Sequence, residues 1–236
     1  MPGSDTVIDS HLHIIEKVPE NYSDFGDLSR MVSCVAKADE WDAQMAVSDP
    51  RVIKSYGVHP WYAEQWTLEN KKRLFDLLTA DPTAQVGEIG LDSKRGQILG
   101  QTMIMIQQLD IAEYFQRVVS IHDVGCEKMV LDALQGRRLK GVILHSYGSD
   151  SYVKPYSELG CYMSISPRIL SRSEVRVKRL LDAIPDSLLL LETDSPACGK
   201  EFKGMRDFAE TLGSIVGRPA DDLLGLAEEN LGRLFP

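Results

Sequence analysis

The sequence predicts a parallel α/β barrel of the TIM-like (β/α)8 type, distorted by an irregular first crossover. Three observations predict it. Short apolar, β-branched runs alternate about eight times with stretches of helical periodicity, the pattern of a parallel sheet with helices packed outside it. The 236 residues are 43% apolar with no Pro/Gly/Ser-rich linker or low-complexity tract, so the chain reads as one domain over 1–236 with a large core. The apolar runs also end repeatedly on the same kind of residue: all 5 histidines, His11, His13, His59, His122 and His145, fall at predicted strand ends. In a barrel the C-terminal strand ends converge on one face, and active sites are built there.

The first strand is Val7-Ile8-Asp9-Ser10-His11-Leu12-His13-Ile14. Residues i and i+2 of a strand share a face, so His11 and His13 point the same way, with Asp9 placed to support the first of them. Taken alone, His-x-His is a solvated strand end; the rest of the chain argues otherwise. Residues 16–29 hold Pro19, Gly26 and several acids with little helical periodicity, which predicts an irregular loop where a barrel normally places its first helix. Met31 to Ala36 is the second strand, followed by a short helix over Asp39 to Val47 with Asp39 as its N-cap. Arg51 to Pro60 is the third, ending in Gly57-Val58-His59-Pro60, where Pro60 lacks the N–H to continue the ladder. An amphipathic helix over Leu68 to Leu78 stops at Asp81-Pro82.

The fourth strand, Ala84 to Asp92, embeds Glu88 between Gly87 and Gly90. A charge inside an apolar strand is costly unless it is paired or binds metal, and the glycines imply a close approach to the backbone. A helix over about Gln101 to Arg117 precedes the fifth strand, Val118 to His122. A helix over Cys126 to Leu134 then leads to the sixth, Lys140 to His145, again ending on histidine. Gly160 to Pro167 supplies the seventh. Ser171 to Ile184 is a helix whose Arg172, Arg176, Lys178 and Arg179 form a solvated face. Four leucines, Leu188 to Leu191, then break into Glu192-Thr193-Asp194-Ser195-Pro196, and two helices finish the chain, the last with a stripe of Leu224, Ala227, Leu231 and Leu234.

On this fold His11, His13, Glu88, His122, His145 and Asp194 surround one point. Four imidazoles and two carboxylates suit a pair of divalent ions such as zinc, manganese or magnesium. The net charge of −9 and a pI near 5.1 leave no broad basic face to wrap nucleic acid, so such a substrate has to be gripped locally. Cys34, Cys126, Cys161 and Cys198 are widely spaced and read as reduced thiols of an intracellular protein. No apolar run approaches the ~20 residues of a membrane span, and no export signal opens the chain, which predicts a cytoplasmic protein away from membranes, with the nucleus as the alternative.

In order along the chain, Asp9-Ser10-His11-Leu12-His13, Gly57-Val58-His59-Pro60, Gly87-Glu88-Ile89-Gly90-Leu91-Asp92, Ile121-His122, His145, Leu191-Glu192-Thr193-Asp194-Ser195-Pro196 and the closing Asn230-Leu231-Gly232-Arg233-Leu234-Phe235 resemble the TatD family of metal-dependent deoxyribonucleases. The resemblance implies that His11, His13 and Asp194 hold one metal, that His122 and His145 hold a second, and that Glu88 bridges them. It further implies that a water activated between the ions attacks phosphorus, with Asp194 orienting it or accepting its proton, and that His59 contacts phosphate. The expected substrate is DNA ends or a small phosphoester.

Three departures accompany the motifs. Asp123-Val124 stands where members often carry Ser-Arg, Ser146-Tyr147 replaces Cys-Phe, and the usual Arg-Asn-Glu-Pro segment is not recognisable around 199–206. The arginine able to clamp phosphate bidentately is thus replaced, by Val124, and an acid that would repel phosphate, Asp123, stands beside it. Such variants resemble the outlying branch that includes the fungal Cut-nine-interacting proteins. Two other readings follow: an amidohydrolase-type enzyme acting on a small amide, ester or lactone, and a non-catalytic adaptor retaining the metal site.

Overall fold

The computed structural model describes residues 6–15, 28–197 and 204–236. Its strands are β1 (Val7–Leu12), β2 (Leu28–Cys34), β3 (Val52–Tyr56), β4 (Gln85–Asp92), β5 (Val118–Val124), β6 (Gly141–Leu144), β7 (Tyr162–Ile165) and β8 (Leu189–Leu191). They follow one another in a single eight-stranded sheet in chain order, as a parallel α/β barrel requires. The helices are α1 (Trp41–Ala46), α2 (Leu68–Ala80), α3 (Ile98–Tyr114), α4 (Glu127–Leu134), α5 (Val153–Glu158), α6 (Glu174–Ala183), α7 (Met205–Val216) and α8 (Ala220–Leu234). Among the described residues no helix is long and apolar enough to cross a membrane. The expected irregular crossover lies, over 16–27, outside the described residues, as does Cys198.

The chain forms two compact units. One runs to Val32 and resumes at His145–Pro236; the other is Ser33–Leu144. In the first, β7 pairs parallel with β8 in the register Met163–Leu189, Ser164–Leu190 and Ile165–Leu191, and β1 packs against β8. The leucines of β8 are fully buried under α8, whose stripe of Leu224, Ala227, Leu231 and Leu234 faces inward as its spacing predicts. Burying a leucine side chain contributes about 1.5–3 kcal/mol, so this helix–strand contact, with the pairing to β7, holds the strand whose end carries Glu192 and Asp194.

In the second unit β3, β4, β5 and β6 pair parallel in sequence. Met105 and Leu109 of α3 are buried against β4, where Val86, Ile89 and Leu91 are equally inaccessible. The strand carrying Glu88 is therefore covered on its apolar positions by its own crossover helix. The turn into α1 is capped differently from the expected Asp39: a 3-10 turn over Ala38–Glu40 precedes the helix, and Glu40 Oε2 accepts from the Ala36 and Lys37 amides, both at 3.1 Å.

The glycines around Glu88 answer to neighbouring strands rather than to a ligand. A Cβ on Gly90, whose φ is +143°, would lie 1.9 Å from the His122 carbonyl oxygen, its register partner on β5. One on Gly57 would lie 2.8 Å from the Gly87 carbonyl carbon. Both the space and the backbone angle exclude a side chain at position 90. Gly90→Ala is expected to destabilise the protein by at least about 3 kcal/mol, because β5 must move and the residue must hold a φ that L-residues avoid. An unchanged urea midpoint for that variant would show the strands to be slack here.

Candidate metal centre

Two clusters of histidine and carboxylate form, one within each unit. In the first unit β1 delivers His11 at its fifth position, and His13 follows the strand end. Their Nε2 atoms lie 3.3 Å apart, with the rings edge-on. His145, immediately after β6, stacks on His11 with ring centroids 4.1 Å apart. Asp194 Oδ1 lies 3.6 Å from His13 Nε2. His11, His145 and Asp194 each present a ligand atom within 4.8 Å of the others, and all three are buried.

Backbone bonds lace the carriers together. The Asp194 amide donates to the His11 carbonyl at 3.0 Å and the His13 amide to the Ser195 carbonyl at 2.8 Å. Asp9 Oδ1 accepts from the His11 and Thr193 amides at 3.1 and 3.0 Å, and its Oδ2 accepts from Thr193 Oγ1 at 2.5 Å. Asp9 thus clamps the Glu-Thr-Asp segment onto β1. Burial pushes its carboxyl up to about 7; the Thr193 and His11 donors pull the other way, and nearby Glu192 adds to the rise.

Glu192, wholly buried, accepts from the Ser146 amide at 2.7 Å through Oε1, and the same oxygen lies 3.3 Å from His145 Nδ1. A carboxylate at Nδ1 fixes the ring and leaves Nε2 to face a metal, the usual support for a ligating histidine. Asp194 adopts a left-handed φ of +50° and also meets Arg168, whose Nη2 lies 3.0 Å from Oδ2 with the arginine side chain 60% exposed.

In the second unit Glu88 Oε1 lies 3.2 Å from His59 Nε2 and 3.1 Å from His122 Nδ1, making a compact trio. His59 Nδ1 accepts from the Trp61 amide at 3.2 Å, so a neutral His59 carries its proton on Nε2 and donates it toward Glu88. The strand end bearing His59 is fixed from α3: Gln108 accepts from the Val58 amide at 2.8 Å and donates to the Val58 carbonyl at 3.1 Å. Asp92, at the end of β4, lies 3.5 Å from His122 Nε2 and accepts from the Trp61 indole at 2.6 Å. Burial would raise its carboxyl, but the Trp61 indole, the Lys94 amide and His122 outweigh burial and hold it below the usual range.

The donor set fits divalent ions. In a tetrahedral site with metal–nitrogen bonds of about 2.0–2.1 Å, two ligating nitrogens lie about 3.3 Å apart, the separation of the His11 and His13 Nε2 atoms. Buried imidazole and carboxylate donors without a compensating cation are also the arrangement a metal stabilises most.

The structure therefore gathers His11, His13, His145 and Asp194 in one unit and His59, Glu88 and His122 in the other. Sequence reasoning gave no role to Arg168, to Asp92 and Trp61, or to Glu192 as the partner of His145. Only the acid pair after the leucines of β8 signalled one of them. Asp123, the departure beside His122, has Oδ1 3.2 Å from the Cys126 amide and caps the turn into α4.

The family model for TatD related DNase matches residues 8–236. The human deoxyribonuclease TATDN3 is 26% identical over 263 aligned residues, covering 98% of this chain and 94% of its own. The 3'-5' ssDNA/RNA exonuclease TatD of Escherichia fergusonii is 27% identical over 153 residues, 62% of this chain and 59% of the relative. Among solved structures, YJJV, a TatD homolog from Escherichia coli, matches with a TM-score of 0.84 at 22% identity, covering 97% of each chain. That likeness carries the fold, a (β/α)8 barrel of the TIM type.

Proposed function

Because the chain belongs to the TatD related DNase family, and is by that membership a metal-dependent hydrolase of phosphoester bonds, we propose that it is a two-metal phosphodiesterase acting on the ends of DNA. The proposal treats 1–236 as one hydrolase domain working in the cytosol or nucleus. The observation that carries it is the 3.3 Å approach of the His11 and His13 Nε2 atoms in a buried cluster with His145 and Asp194.

His11, His13, His145 and Asp194, together with His122 and Glu88, are the proposed metal ligands. Divalent ions held there supply Lewis-acid polarisation of a phosphodiester and a water of lowered pKa. The side chains do the rest. Glu192 holds the His145 ring with Nε2 presented. His59, donating through Nε2, steadies Glu88 and is placed to turn that proton to a phosphate oxygen when substrate enters. Asp194 is the proposed orienter and proton acceptor for the attacking water, its carboxylate aligned by Arg168. The exposed Arg168 guanidinium offers the bidentate fork that position 124 lacks.

The acid at 123 is the feature that favours a neutral amide, ester or lactone as substrate. With Oδ1 capping the Cys126 amide, it weighs less for that reading. An adaptor without turnover would have little use for so many buried ligands, whose desolvation stays uncompensated without metal.

Elemental analysis of the purified protein is expected to give about two divalent ions per chain. Single-stranded DNA and p-nitrophenyl phosphodiesters should be cleaved, chelator should abolish the cleavage, and zinc, manganese or magnesium should restore it. Turnover of a panel of amides, esters and lactones without any phosphodiester cleavage would replace this reading with the amidohydrolase one. Metal binding without turnover of either would favour the adaptor.

A further inference from the structure

Trp61 lies two residues beyond His59, in the 3-10 turn Pro60–Gln65, and keeps 45% of its surface exposed. Its polar tip is already satisfied by the 2.6 Å bond to Asp92, so what it offers to solvent is aromatic surface. The ring is not loose. Its indole N–H is tied to Asp92, its edge rests on His59 with centroids 5.1 Å apart, and Arg95 lies over its face at 4.4 Å. Gln101 fixes the turn that carries both supports, accepting from the Asp92 amide at 2.8 Å and donating to the carbonyls of Asp92 and Arg95.

The stacked ring and guanidinium border a cleft of about 310 Å³, further lined by Glu64, Gln97 and Gln101. An exposed indole backed on one face by a guanidinium, with the Gln97 amide at the rim, is the chemistry that takes a nucleobase: a base stacks on the outer face of the pair, and the amide reaches the base edge. The cleft is also joined to the metal-ligand trio. The Asp92 oxygen that holds Trp61 is 3.5 Å from His122 Nε2, and His122 Nδ1 is 3.1 Å from Glu88. Lys94 and Arg95 put two cations on this turn, in a chain whose net charge is −9.

We infer that Trp61, backed on one face by Arg95, is a stacking platform for the base of the nucleotide joined to the reacting phosphate. The inference rests on the phosphodiesterase reading for its role in turnover. Stacking requires a base free of its partner, so the platform favours single-stranded or frayed ends over duplex. It also supplies the local grip that an acidic protein needs in place of a basic groove.

The test uses the metal-loaded full chain and single-stranded oligonucleotides whose last residue, at either end, is normal or an abasic tetrahydrofuran. For the wild type, KM should be about 10-fold higher on the abasic oligonucleotide at the end that is cut. Trp61→Ala should raise KM about as much on the normal substrate and leave the abasic one unaffected; Trp61→Phe should recover most of the loss. Equal KM values for both substrates in the wild type, or an equal rise on both in Trp61→Ala, would overturn the platform. A second readout needs no turnover: dAMP should quench tryptophan emission in the wild type and far less in Trp61→Phe, while ribose 5-phosphate should quench neither. If no phosphodiester is cleaved yet dAMP quenches through Trp61, the platform stands and the phosphodiesterase reading falls. Absence of that quenching overturns the platform whatever the turnover shows.

Discussion

Asp194→Asn is expected to lower kcat about 10³-fold, equivalent to about 4 kcal/mol of transition-state stabilisation, with a much smaller change in KM. The substitution is unusually clean at this site. Asp194 sits at φ +50°, a conformation that asparagine tolerates as well as aspartate does, so the backbone gains no strain. The asparagine oxygen can still accept from Arg168, and the bond from the residue 194 amide to the His11 carbonyl is untouched. What disappears is one negative charge, 3.6 Å from His13 Nε2 and 97% buried. An acceptor that develops its strongest interaction as the water loses its proton acts mainly in the transition state, so its loss falls on kcat. Because Arg168 is largely exposed, the lost ion pair itself contributes little to stability. Steady-state kinetics on a p-nitrophenyl phosphodiester, with metal content measured on the same sample, decide the matter. A fully metal-loaded variant with kcat within a few-fold of wild type would remove Asp194 from the chemistry.

Why this carboxylate was legible from sequence, and other members of the site were not, follows from what each signal depends on. Asp194 follows four leucines, and Glu88 interrupts an apolar strand between glycines; both are local contrasts in hydrophobicity that mark a charge forced into a core. His11 and His13 follow from the two-residue period of a strand. The partners of these residues come from far along the chain and carry no local mark. Glu192 meets His145 across 47 positions, and Gln108 fixes the His59 strand end across 50. Nothing in their neighbourhoods announces that contact.

Element boundaries failed for comparable reasons. The fifth strand runs two residues beyond His122 to Val124, stopped by Gly125 at φ +65°, because Leu91 and Asp92 of β4 continue to pair with it. Helix α5 carries no signal in the sequence. It is six residues long and contains Pro155, so it has neither the length nor the period that betrays a helix; the burial of Val153 and Tyr156 holds it in place. The second strand begins at Leu28 rather than Met31, its first residues supported by Ser29 donating to the Val7 carbonyl at 3.1 Å.

The other large effect is expected from Glu88→Gln. Glu88 Oε1 stands between His59 Nε2 and His122 Nδ1, at 3.2 and 3.1 Å, with only 3% of the residue exposed. Glutamine keeps the shape and one acceptor oxygen and removes the desolvation cost of a buried charge, so the metal-free protein should change in stability by no more than about 1–2 kcal/mol. The metal-loaded protein should behave differently. An ion present at 100-fold above its Kd stabilises the fold by about 2.7 kcal/mol, and a ligand change that weakens binding 10²-fold or more removes most of that. For a chain of this size the gain in Tm on adding metal should therefore shrink by roughly 5–10 °C, while activity falls at least about 10²-fold. Comparing Tm with and without chelator separates this loss from a mere folding defect, which would lower both values together. Elemental analysis then reads whether the variant gives up one ion or both, and so whether Glu88 serves a single ion or the two that the family motifs imply. Full metal content together with an undiminished metal-dependent rise in Tm would mean that Glu88 supports the histidines beside it and binds no ion at all.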